Sequence, residues 1–158
     1  MSNPNYWLFK SEPNVFSFDD LLKSPRKTTC WDGVRNYQAR NILRDEVKLG
    51  DLVLFYHSRV EPMCIAGTAK VIKEAYADPT QFDSGSKYYD EKATRHKPRW
   101  VAVDITAHQK FEKPLTREYL KNLPNLADMM LLRKGSRLSI QPVTEAEYQV
   151  IIAEVSSR

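Results

Sequence analysis

The order of apolar and polar positions divides the chain into short elements. Tyr6-Trp-Leu-Phe-Lys10 is aromatic and apolar and predicts a first strand, closed by Pro13. Ser17-Phe-Asp-Asp20 opens a helix: Ser17 is the N-cap, Asp20 stands at the third helical position, and Phe16 can staple onto Leu21. Pro25 limits that helix to about two turns. A second helix is expected over Asn36–Arg44, with Arg40 and Arg44 sharing one face. After the Gly50-Asp51 turn, Leu52-Val-Leu-Phe-Tyr-His57 is apolar on both alternating faces and reads as a central strand. Cys64 to Tyr76 predicts a long strand whose small residues, Ala66, Gly67 and Ala69, suit a tight barrel interior. In Trp100 to Thr106, Val101, Val103 and Ile105 alternate with Trp100, Ala102 and Asp104. Thr116 caps a short helix that ends before Pro124, and Arg137-Leu-Ser-Ile140 reads as a strand. Thr144-Glu-Ala-Glu147 is a capping box, and Tyr148, Ile151, Ile152 and Val155 continue as a helical stripe.

The order β-α-α-β-β-β-α-β-α does not alternate as a doubly wound sheet would. The pattern predicts an α+β fold in one domain over residues 1–158: a small mixed, mostly antiparallel β-barrel with peripheral α-helices. Between Asp78 and Pro98 runs a stretch of about 20 residues without apolar periodicity, longer than ordinary loops. It interleaves Tyr88 and Tyr89 with Lys87, Lys92, Arg95, His96 and Lys97, which points to function rather than to disorder.

Composition adds a few bounds. The chain has 158 residues, 42% of them hydrophobic, which is enough for a sizeable core. No apolar run approaches a spanning helix, and the first residues have no signal-peptide pattern. Cys30 and Cys64 are not in metal-ligand or disulfide-framework spacing and read as two reduced thiols. The net charge of +4 favours an anionic partner.

The chemistry of common enzymes is missing from the pattern. With only five glycines, the chain carries no Gly-rich phosphate loop. His57 and Ser58 are neighbours on a strand and point to opposite faces, so they make a poor nucleophile–base pair. His57 reads either as a hydrogen-bonded strand-end residue or as pocket lining. No clustered acid or metal-ligand set is visible, and neither a metal nor a cofactor is expected. Aromatics and cations do cluster. Trp31-Asp-Gly-Val-Arg-Asn-Tyr37 is a Gly-containing turn after a Trp, and Trp31 fits either a core position or a base-stacking wall. Arg35, Arg40, Arg44, Arg95, Lys97 and Arg99 are candidates for holding phosphates, or a solvated charged face.

Several segments together resemble the EVE domain family: Tyr6-Trp-Leu-Phe-Lys-Ser-Glu-Pro13, Trp31-Asp-Gly-Val-Arg-Asn-Tyr-Gln-Ala-Arg-Asn41 and Gly50-Asp-Leu-Val-Leu-Phe-Tyr-His-Ser58. Asp78-Pro-Thr80, Tyr88-Tyr-Asp90, Pro98-Arg-Trp100 and Arg137-Leu-Ser-Ile-Gln-Pro-Val143 follow in order. The resemblance implies a PUA-like barrel, in the superfamily of the YTH readers of methylated adenine. Lys10-Ser11 is similar to the YTH lysine–serine pair and Trp31 to the first wall of the YTH methyl-base cage. Leu54 to Ser58 with Met63-Cys64 is similar to the strand pair that floors that pocket.

The implied activity is binding, not catalysis: a flipped-out base, such as a methylated cytosine, held in an aromatic pocket. Lys10, Ser11, Trp31, Asn36, Tyr56, His57, Ser58, Tyr88 and Tyr89 are the expected base-pocket residues. The partner is single-stranded or flipped-base DNA or RNA, with no membrane. The location is cytoplasmic for a bacterial-type protein, nuclear for a eukaryotic one. An RNA-binding PUA-like accessory module without modification specificity is the alternative. On this reading Trp31→Ala weakens binding and leaves the fold intact.

Overall fold

The computed structural model describes residues 3–157. Its elements are β1 (Tyr6–Ser11), α1 (Phe18–Lys23), β2 (Thr28–Trp31), α2 (Tyr37–Asp45), β3 (Leu52–His57), β4 (Cys64–Ala77), β5 (Val101–Thr116), α3 (Arg117–Lys121), β6 (Ile140–Val143) and α4 (Glu145–Ser157). The six strands form one mixed sheet in the order β2-β5-β4-β3-β1-β6. Only β1 and β3 run parallel, pairing Tyr6 with Leu52 through Ser11 with His57; every other ladder is antiparallel.

Local chemistry sets the helix ends. In α1 the Ser17 hydroxyl accepts from the Asp20 amide at 3.0 Å, and the Asp20 carboxylate accepts from the Ser17 amide at 2.8 Å. Asn36, Thr116 and Thr144 likewise accept from the amides of Ala39, Tyr119 and Glu147. Buried Asp51 accepts from the Asn5 amide, the Trp7 indole and the Lys48 amide, which fastens the start of β1 beside β3.

The two faces of the sheet bury two apolar clusters. One joins Trp7, Phe9, Phe55, Val103 and Ile105 to Leu21 of α1 and Leu43 of α2. The other joins Leu8, Leu54, Ile65, Phe111 and Leu115 to Leu120 of α3 and Ile151 of α4. The first cluster shows how far the sheet bends. β2 and β1 stand four ladder steps apart, which would separate them by roughly 19 Å in a flat sheet. Yet the Phe9 and Trp31 rings meet at 5.3 Å, and Trp31 meets Phe55 edge-on at 5.4 Å. The sheet therefore curls around these rings.

Four expectations need correction. Among the described residues no ladder joins β2 to β6, so the pairing is that of a curled open sheet, not a closed barrel. Trp31 ends a strand that periodicity missed, because β2 has four residues of which only Trp31 is buried. β5 continues ten residues past Thr106, through an exposed polar stretch that pairs with β4. The last strand is Ile140–Val143, not Arg137–Ile140; Pro142 is tolerated there because β6 is an edge strand.

Candidate nucleic-acid interface

At one end of the sheet, where the curl brings the ends of β1, β2 and β3 together, lies a cavity of about 1020 Å³ that is open to solvent. Its walls come from Lys10 and Ser11, from Tyr56 and Ser58, and from the segment Thr29–Asn36 that leads from β2 into α2. Tyr88 of the long loop and the turn around Arg133–Arg137 complete it.

Seven of the nine expected base-pocket residues line this space: Lys10, Ser11, Trp31, Asn36, Tyr56, Ser58 and Tyr88. Trp31 does so from a core position. It is only 7% exposed, with its indole against Phe9 and Phe55, so the core reading holds, and the residue also borders the cavity. That also corrects the expectation of an intact fold after Trp31→Ala. The Ser11 hydroxyl donates to the Phe16 carbonyl at 2.6 Å, and the Ser58 amide donates to the Ser11 carbonyl at 2.9 Å, which fixes the rim.

His57 and Tyr89 do not line the cavity. His57 Nε2 accepts from the Phe18 amide at 3.1 Å, so the ring caps the first turn of α1. Burial, partly opposed by Asp19 and Asp20, pushes its pKa below the ordinary value and favours the neutral form that this bond requires. Tyr89 is 45% exposed and stands outside the wall that its neighbour Tyr88 forms.

The expected phosphate ligands are also largely redistributed. Arg35 borders the cavity, but its five N–H groups are engaged. It donates to Asp78 at 2.9 Å, to Thr80 at 3.0 Å, to the Val34 carbonyl at 3.0 Å and twice to the Tyr88 carbonyl, at 3.1 and 2.7 Å. Its guanidinium also lies over the Tyr88 and Trp100 rings. Arg35 therefore fixes the loop at the edge of the cavity. Arg40, Arg44, Arg95, Lys97 and Arg99 lie away from the cavity. Arg40 stacks over Tyr37 and donates to the Arg99 carbonyl, Arg44 pairs with Asp45, and Arg95 covers Phe82.

The long loop is held by buried side chains. Gln81 donates to the Asp78 and Trp100 carbonyls and accepts from the Arg99 and Trp100 amides. Asp78, with 0% exposure, accepts from Arg35, from the Gly33 amide at 2.8 Å, and from the Thr80 amide and hydroxyl at 2.7 and 2.6 Å. Burial opposes its ionisation, but the bonds from Thr80, Gly33 and Arg35 outweigh it and hold the carboxyl below its ordinary value. Gly33 has φ +81° and lies against the Tyr88 ring so closely that a Cβ would come within 2.6 Å. The loop thus delivers Tyr88 to the segment after Trp31.

Besides Lys10 and Arg35, the cavity is lined by Arg59, Arg117, Arg133 and Arg137, none of which the sequence pattern assigned to phosphate binding. They come from separate segments. Arg117 follows β5 where Thr116 pairs with Cys64, close to Met63, whose carbonyl accepts from the Arg117 amide. The Arg133–Arg137 turn is tied to β6 by buried Gln141, which donates to Ser136 and to the Leu138 carbonyl. A Gly inside the basic run Arg133-Lys-Gly-Ser-Arg137 was the available signal.

Lys10 donates to the Ser136 carbonyl at 3.1 Å. Burial, reinforced by nearby Arg117, lowers its pKa. Among the described residues no carboxylate pairs with Lys10, Arg59, Arg117 or Arg137. Lys10 and Arg117 are half-buried, Arg59 and Arg137 are exposed, and like charges gathered without a carboxylate partner favour an anion. Burial pushes the Tyr56 hydroxyl up to about 12, so it remains a donor at neutral pH. Cys30, also on the wall, is pushed up to about 11 by burial and stays a thiol.

The chain matches the EVE domain over residues 5–154. Human thymocyte nuclear protein 1 is 39% identical over 166 residues, spanning 94% of this chain and 73% of that protein. The crystal structure of the human THYN1 protein in complex with 5-methylcytosine-containing DNA is similar at a TM-score of 0.90 and 38% identity, covering 98% of this chain and 99% of that one. A Pseudomonas syringae protein has a TM-score of 0.89 at 47% identity, over 95% and 99% of the two chains. The family match covers nearly the whole sequence, human thymocyte nuclear protein 1 is similar over nearly all of it too, and the chain belongs to the EVE domain family.

Proposed function

We propose that this protein is a nucleic-acid reader that takes one flipped-out, modified base, of the 5-methylcytosine class, into the cavity beside Trp31. The carrying observation is that one open hollow joins an aromatic wall to a set of cations without carboxylate partners. Its volume of about 1020 Å³ accommodates a nucleotide with part of its backbone. The THYN1 complex with 5-methylcytosine-containing DNA supports the same ligand class. Trp31 and Tyr88 supply apolar surface for the ring, Tyr56 and Ser58 supply hydroxyls for its edge, and Lys10, Arg59, Arg117, Arg133 and Arg137 meet the phosphates. The role assigned is binding; His57, the histidine next to the cavity, does not line it and accepts from the Phe18 amide.

Equilibrium binding of a fluorescent oligonucleotide carrying one 5-methylcytosine, against its cytosine twin at fixed salt, tests the reading. Burying one methyl in an apolar slot is worth about 0.8 kcal/mol, so a preference of roughly four-fold is the minimum expected. Equal affinities reject modification reading and leave a module that binds nucleic acid without it. Arg133→Gln and Arg137→Gln should each flatten the salt dependence by about one unit of slope, whereas Arg95→Gln and Lys97→Gln should leave it unchanged.

A further inference from the structure

The cavity holds a residue that phosphate binding does not explain. Among the described residues only two carboxylates line it, Glu12 and Asp32. A carboxylate inside an anion-attracting hollow repels phosphate, so its presence there calls for a different ligand group. Asp32 follows Trp31 directly, at the exit of β2 and one residue before Gly33, which packs on Tyr88. Along the chain it thus stands between Trp31 and the glycine that packs on Tyr88, and it lines the same cavity as both rings.

The cation nearest to it in electrostatic terms, Arg35, has given all five N–H groups to other acceptors. Among the described residues no side chain donates to Asp32. Burial, followed by the neighbouring Asp78 carboxylate, raises its pKa. Asp32 is nonetheless exposed, so its acceptor-only carboxylate is accessible to a ligand N–H in the hollow.

We infer that Asp32 is the specificity-determining residue that accepts a hydrogen bond from the exocyclic amino group of a cytosine-type base in this cavity, and so excludes thymine. The inference rests on the base-reader proposal above. Cytosine and 5-methylcytosine present an N4 amino donor on that edge, whereas thymine presents the O4 carbonyl. Thymine carries the same 5-methyl group as 5-methylcytosine. The aromatic walls alone therefore cannot separate the two, and a carboxylate facing the edge can, because O4 and a carboxylate oxygen repel.

The test uses three oligonucleotides with 5-methylcytosine, cytosine or thymine at one position opposite an abasic site, so that no base has a pair to break. Wild type, Asp32→Asn and Glu12→Gln are compared at fixed salt, with thermal melting confirming that each folds. For wild type the expectation is 5-methylcytosine over thymine by about ten-fold or more. In Asp32→Asn that ratio should fall to within about three-fold while the preference of 5-methylcytosine over cytosine persists, because the methyl contact is untouched. Wild type that prefers 5-methylcytosine to cytosine but binds thymine as well refutes the role of Asp32 and leaves the reader intact. The same holds if Asp32→Asn keeps the full ratio, or if Glu12→Gln alone collapses it. Wild type that shows no preference between 5-methylcytosine and cytosine fails the underlying reader proposal instead.

Discussion

Asp78→Asn isolates what holds the Tyr88 wall in place. The carboxylate accepts four hydrogen bonds, from Thr80 twice, from the Gly33 amide and from Arg35. Asparagine keeps the shape but has one oxygen. If that oxygen stays on Thr80, the new NH₂ faces the Gly33 N–H and the Arg35 guanidinium, donor against donor. The charge-assisted bond to Arg35 is worth about 1.5–3 kcal/mol, and the stranded Gly33 amide costs about 1–3 kcal/mol more. Together these make a loss of about 2.5–6 kcal/mol, centred on the ~3–5 kcal/mol typical of breaking a buried ion pair by removing one partner. Against a domain stability of about 5–15 kcal/mol this is large, and for a chain of this length it corresponds to a fall in Tm of about 10 °C.

Circular dichroism melts and urea titrations measure that loss, and Arg35→Met with the double variant completes a cycle. In the Arg35→Met background, Asp78→Asn should cost at least about 1 kcal/mol less, because the charged bond is already gone. The acid limb adds a second check. The folded pKa of Asp78 lies below its unfolded value, so its contribution is fully present above about pH 4 and disappears as pH falls through the folded pKa. Asp78→Asn should lack that part of the acid transition. A variant that melts within 2 °C of wild type, by the ~2–4 °C per kcal/mol scale, would show that the Arg35–Asp78 contact carries none of the load assigned to it.

Three further outcomes follow from the same geometry. Gly33→Ala combines a left-handed backbone with a Cβ inside the Tyr88 ring, so Tyr88 must move; a loss of about 2 kcal/mol or more in urea titration, with weaker oligonucleotide binding, is expected, and unchanged binding would remove Tyr88 from the wall. Trp31→Ala removes a core ring from Phe9 and Phe55 and should cost about 3–5 kcal/mol, so Trp31→Phe, which retains part of the packing, is the variant in which lost affinity can be read apart from lost structure. The folded pKa of His57 is below the ordinary value, so its stabilising contribution is complete above about pH 6.5 and declines as pH falls from there through the folded pKa. His57→Gln should flatten this slope in melts taken from pH 7.5 to 5; parallel slopes would mean that His57 does not cap α1.

Most of the framework was legible because it is written in local chemistry. The Ser17–Asp20 and Thr144–Glu147 boxes, the Thr116 cap and the strands over 52–57 and 64–77 rest on residues a few positions apart. β2 was not legible, since it is a strand only by virtue of its partner β5. The site divides along the same line. Lys10, Ser11, Trp31 and Tyr56 were found through contiguous segments that carry the family resemblance. Arg59, Arg117 and Arg133 meet only through pairings between distant segments, and no local pattern marks them out from Arg40 or Arg95. Likewise, the interleaved tyrosines and cations of the long loop suggested one ligand-facing surface, but Trp100 stacks on Tyr37 at 4.8 Å and its indole donates to Asp90, so much of that aromatic character holds the loop itself.

The strand order has a consequence for synthesis on the ribosome. β1 is made before the other five strands, lies between β3 and β6, and its Leu8 pairs with Gln141. One edge of β1 thus stays bare until β6 has been made, and such an edge is a template for pairing with other nascent chains. Long sequence separation between partners also slows closure. A truncated product ending before Ile140 would keep that edge exposed and is expected to aggregate, which ties the solubility of this domain to the four residues of β6.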